Sequence, residues 1–175
     1  MSLRMASPIP ARVIQVLQDY LPAELDLIDT EEGGDTTPDI VVFYQWDRQV
    51  LSTSEAPAVT VELHGISPID VKPDTFGRRL DAEYLMNVKV HVQRSQGSDD
   101  ALRLQVLTHR YVAGIFRVLC VMKEGLETAA DPTRFAESVT PGDEPIDLGP
   151  DIGQTGTVVR TASVPIRIRR REPRG

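Results

Sequence analysis

Residues 79–95 and 101–122 read RLDAEYLMNVKVHVQRS and ALRLQVLTHRYVAGIFRVLCVM, and these two runs decide the fold. In the first, every second residue from Leu80 to Val92 is apolar: Leu80, Ala82, Tyr84, Met86, Val88, Val90 and Val92. The residues between them are polar except Leu85. A period of two puts alternate side chains on opposite faces of a pleated strand, so one face is buried and the other is wet. Ser95-Gln96-Gly97-Ser98 breaks the pattern, Ser98 is an N-cap candidate, and Asp99 and Asp100 suit the positive end of a helix. Leu104, Leu107, Tyr111, Ile115, Val118, Leu119 and Met122 then recur every three or four residues and make one apolar stripe on a helix. His109 and Arg110 fall off that stripe and are expected on the surface.

Working outward, Ser7, Pro8 and Pro10 open a short helix over 11–20, and Pro22 is expected to stop it. Residues 23–38 are acidic and end in Gly33-Gly34-Asp35, a loop signal. Residues 40–46 (IVVFYQW) and 58–65 read as strands. Pro68 and Pro73 argue against regular pairing over 66–79, and a loop of that length usually serves a function or a partner. Residues 135–140 read as a further strand, 143–156 as a Pro/Gly/Asp-rich excursion, and 157–169 as a closing strand. Pro165 lacks an amide donor, which places that strand at an edge or leaves it paired on one side there. The order gives an α+β domain over residues 8–170. Its sheet is mostly antiparallel, of four to five strands, with one long helix and a short N-terminal helix on one face. Residues 1–7 and 171–175 are expected to be flexible termini.

The chain has 175 residues, 41% hydrophobic and 26% charged, with net charge −7. That is enough chain for one core that buries about 70% of its unfolded surface. No apolar run has the length of a membrane span, so no membrane partner is expected. One cysteine, Cys120, can form neither an intrachain disulfide nor a zinc cluster, and its apolar neighbours suit an inert thiol. Charge is unevenly placed: Asp26, Asp29, Glu31, Glu32 and Asp35 lie near the start, and Arg167, Arg169, Arg170, Arg171 and Arg174 near the end. Such opposed segments suit head-to-tail contacts between copies, and the arginines 167, 169, 170 and 171 suit a phosphate backbone or an acidic partner.

Catalytic and cofactor signals are missing from the sequence. Gly149, Gly153 and Gly156 lead into a strand rather than a helix, so they do not form a phosphate cradle. His64, His91 and Glu62 share the polar phase of two strands, and a metal would need all three together; two solvated histidines is the expectation. Asp81 and Glu83 sit two apart on one strand face without a partner acid or base in sequence. With Phe76, Arg78 and Arg79 at the strand's entrance they are read as a subunit or partner interface, and no enzyme, cofactor or metal is expected.

The succession of a short helix, Ala58-Val59-Thr60-Val61-Glu62, the strand Arg79–Val92, the helix Leu107–Leu119 and a terminal strand resembles the tail-terminator and tail-completion (neck) proteins of tailed bacteriophages and prophages. The likeness is one of layout over residues 8–170, with a longer excursion at 141–156 and a more arginine-rich end. It implies a structural virion protein, a subunit of a ring, commonly a hexamer, that caps the tail tube and meets the head connector. DNA passing through the ring would make non-specific contact. Assembly would take place in the bacterial cytoplasm. A head–tail joining or minor tail protein of the same fold is the nearest alternative, and a small ligand-binding or enzymatic domain a further one.

Overall fold

The computed structural model describes residues 8–34, 36–46, 53–68, 79–95, 101–123, 126, 136, 138–149, 151–154 and 157–173. Its elements are helix α1 (Pro8–Glu32), strand β1 (Val42–Tyr44), strand β2 (Ala58–Pro68), strand β3 (Arg79–Ser95) and helix α2 (Ala101–Phe116). A π-helical turn (Arg117–Met122) extends α2, and strands β4 (Ser138–Pro141), β5 (Asp151–Gln154) and β6 (Thr157–Pro173) follow. The sheet runs β1-β2-β3-β6-β4, with β5 also on β6. Every pairing is antiparallel except β1 with β2. Both helices lie over one face, and the fold is α+β.

The alternation in β3 does what its period dictates. Ala82, Tyr84, Met86, Val88, Val90 and Val92 are all buried, and across the ladder they meet Val59, Val61 and Leu63 of β2 and Ala162, Val164, Ile166 and Ile168 of β6. Leu104, Tyr111, Ile115, Val118 and Leu119 close the core from α2, whereas Met122 at the end of the stripe is exposed. By length and composition Leu102–Met122 could cross a membrane, yet more than half of it is buried as the core helix of this fold.

α1 is 25 residues long and passes through Pro22, which corrects the short helix expected to stop there. Proline inside a helix costs about 3 kcal/mol. Leu17 and Leu21 lead up to it and Leu25 and Ile28 continue the apolar stripe past it, all buried, and each such side chain contributes about 1.5–3 kcal/mol. The two beyond Pro22 together match or exceed the proline's cost, so the helix continues. As a result most of the acidic stretch lies on a helix rather than in a loop. Gly114 lets the helices approach: a Cβ there would sit 2.9 Å from Leu21 Cδ1 and 3.1 Å from Leu25 Cδ2.

β6 is not an edge strand. It pairs with β3 along its whole length, while β4 and β5 share its far side at opposite ends. Pro165 sits in the gap between them, where Gly142 N–H donates to the Pro165 carbonyl (2.8 Å). A normal antiparallel pair exchanges two such bonds; here the proline leaves one. The 143–156 excursion, expected to be loop, is partly strand. Asp147 and Ser163 exchange two backbone hydrogen bonds (3.1 and 2.7 Å), and β5 extends the pairing. Gly149 adopts φ +58° and lies so close to β6 that a Cβ would run into the Thr161 carbonyl. β2 continues to Pro68, so that proline ends a paired strand instead of forbidding one. β6 likewise runs on to Pro173 opposite Arg79, which makes 171–173 ladder rather than tail. Residues 1–7 lie outside the described residues.

Candidate functional site

The sheet face away from the helices carries the polar phase of β2, β3 and β6. At one end His91 is buried between two threonines, with Thr60 Oγ1 at 3.1 Å from Nε2 and Thr161 Oγ1 at 3.0 Å from Nδ1. A neutral imidazole has one donor and one acceptor nitrogen, and each hydroxyl can serve as either, so this row across three strands is satisfied. The expectation that both histidines are solvated is therefore corrected for His91. His64 is exposed at the irregularity between Leu63 and Gly65, where β2 carries one residue more than β3. Its Nε2 lies 2.6 Å from Asn87 Nδ2 and 3.6 Å from Glu62 Oε2, and Glu62 is 3.0 Å from Lys89 Nζ. With His91 held by threonines and Glu62 by lysine, these three do not converge on a metal. Among the described residues no group of three His, Cys, Asp or Glu side chains is placed to hold one.

Next along the face a shallow groove of about 260 Å³ is lined by His64, Leu85, Asn87, Glu144, Pro165 and Arg167. Arg167 forms an ion pair with Asp143 at its rim. Beyond it the register sets Glu83 opposite Arg169 and Asp81 opposite Arg171. Glu83, read from sequence as part of an interface, and Arg169, read as a phosphate contact, are thus cross-strand neighbours on one face, an arrangement that stabilises a ladder. Arg170 pairs with Ala82 and falls in the opposite phase. Arg79 is the first residue of β3, and Phe76 and Arg78 lie outside the described residues.

The acidic stretch of α1 meets arginines too, but those of α2. Arg110, expected on the surface, is 5% exposed and bonds Asp29 Oδ1 (2.9 Å), Glu32 Oε2 (3.0 Å) and the Gly33 carbonyl (2.6 Å). Thr37 donates to Asp29 through its amide (2.6 Å) and hydroxyl (2.5 Å). Burial pushes the Asp29 carboxyl up, but the Thr37 hydrogen bonds and then Arg110 more than offset it and hold the pKa below 3.8. One turn pair along, Arg117 reaches Glu24 (3.1 Å) and Glu31 (2.8 Å). Hydrogen bonds to Glu31 and then Glu24 raise its pKa. Tyr111, its hydroxyl 2.5 Å from the Pro38 carbonyl, is raised chiefly by burial, with Asp39 and Asp29 adding to it. Half-buried Cys120 is pushed up to about 11 by burial, only partly offset by Lys123, so it is a thiol at neutral pH.

A sequence signal for this clasp existed. Arg110 and Arg117 are seven apart on α2, and Glu24 and Glu31 seven apart on α1, so each pair stands on one helix face. What it lacked was the knowledge that α1 continues past Pro22. No family model matches this chain and no curated protein matches it.

Proposed function

We propose that this chain is a structural subunit of the phage tail-terminator type and not an enzyme. It would assemble into a ring of six copies that caps the tail tube and joins it to the head connector, with DNA passing through. The observation that carries the reading is a sheet that, among the described residues, is covered by helices on one face only. Its other face bears charged side chains from β2, β3 and β6, and its outer strand β1 has no neighbour beyond it among the described residues. Such a face and edge suit completion by another subunit. The opposed acidic and basic segments contribute differently from the sequence expectation: Glu24, Asp29, Glu31 and Glu32 of α1 are paired with Arg110 and Arg117, while Arg167 pairs with Asp143 and Arg169 stands opposite Glu83 of β3. Subunit contact therefore falls to the sheet face and its edges. Virion location and contact with passing DNA belong to the same reading.

Native mass spectrometry across a concentration range, with and without tail-tube protein, tests it. Closed oligomers centred on six copies, or capped tubes in negative stain, are the expected result. A protein that stays monomeric and leaves tubes uncapped overturns it.

A further inference from the structure

β1 is the outer strand of the sheet, and the two sheet margins differ. On the far margin β4 ends in Pro141, whose missing amide blunts strand addition there. β1 carries no proline, and Val41 N–H donates inward to the Pro57 carbonyl (2.8 Å). Alternation along the strand then turns the amide and carbonyl of Val42 outward. Beside β1 an apolar notch of about 250 Å³ opens between it and α1, walled by Leu21, Leu25, Ile40 and Phe43 with Asp39 at its mouth. Pockets for whole small molecules run from about 300 Å³ upward, so this one suits one or two side chains. Val41, the residue before β1, and Trp46, two residues past its end, are 59% and 67% exposed.

Charge selects among occupants. The carboxylates of Asp29, Glu32, Glu24 and Glu31 each have an arginine, whereas exposed Asp39 has no cation among the described residues. We propose that the β1 edge and the adjoining notch bind an extended polypeptide segment of alternating apolar and basic residues from another protein. The segment adds along β1, sets an apolar side chain between Leu25 and Phe43, and places a lysine or arginine over Asp39. Backbone bonds to a sheet edge with pockets for alternate side chains is an established mode of peptide capture. β1 is only three residues long, so the affinity belongs to the weak, reversible range. The inference does not rest on ring assembly, since a monomer presents the same edge.

Trp46 is the sole tryptophan and reports directly. The full chain is titrated with a capped octapeptide alternating leucine and arginine, and with its leucine–glutamate counterpart. Expected are a saturable blue shift of Trp46 emission with the arginine peptide alone, and about fivefold weaker binding in Asp39→Asn. Glu144→Gln, in the groove near the opposite margin, should bind as the parent does. Equal affinity in Asp39→Asn, or loss in both variants alike, overturns the proposal by making the contact non-specific attraction to a chain of charge −7. A blue shift that grows with protein concentration and no peptide overturns it in favour of a second copy on the edge.

Discussion

Arg110 is the side chain on which the helical layer turns. A guanidinium is rarely this buried unless paired, and here two carboxylates, a hydroxyl and a carbonyl surround it. Removing one partner of a buried pair typically costs about 3–5 kcal/mol, because the other charge is left without compensation. Glu32 is half exposed and can rehydrate, so Asp29 decides the loss. Arg110→Ala should destabilise by about 3 kcal/mol and lower Tm by about 6–12 °C in a thermal melt. Arg117→Ala, whose side chain is 38% exposed and well screened, should lower Tm by less than Arg110→Ala does. Asp29 also makes stability pH-dependent. Its folded pKa lies below the unfolded value, so its contribution is present above about pH 4 and lost as pH falls through the folded pKa. Urea unfolding between pH 6 and pH 2.5 should show the parent losing more stability than Asp29→Asn. Parallel curves for the two proteins would rule the linkage out.

At the scale of the element, α1 shows how packing overrides local preference. Pro22 is exposed at the wall of the notch beside β1, so its ring fills no core space. Replacing it restores one amide donor and removes the clash with the preceding turn. Pro22→Ala should raise stability by about 2 kcal/mol, visible as a higher urea midpoint. A lower midpoint would mean that the proline's restriction of the unfolded chain is the larger effect. β6 shows the converse, a residue that limits pairing yet is tolerated. Pro165 lies between the outer pairings with β4 and with Asp147, so its missing amide costs one bond to Gly142 while the ladder with β3 runs on unbroken. The excursion between those partners is tied by Asp147 and Ser163, and Gly149 permits the close approach to Thr161.

In the whole molecule, β3 and β6 are the central strands, paired over seventeen residues and covered on one face by α2, while α1 packs over β2 and against α2. Amide exchange should be slowest for β3 residues 84–91, which have a partner strand on each side, and faster by at least tenfold for β1. Comparable protection in β1 would show its outer edge already covered. The core was legible in the sequence because it is periodic. Alternation in 82–92 and three-to-four spacing in 104–119 follow from the geometry of strand and helix, and both apolar sets turn to the core where those periods place them, Leu107 only in part. The antiparallel α+β class followed from the order of these elements. Burial of polar residues was not legible. His91 and Arg110 look like surface residues because hydrophobicity is the only burial signal a single sequence carries. Each is buried by partners far along the chain: Thr60 and Thr161 for one, Asp29 and Glu32 for the other. The pairing of Glu83 with Arg169 and the passage of α1 through Pro22 were decided the same way. Local pattern determined which faces are apolar. Which polar groups meet depended on register and on helix length, which long-range packing energy sets.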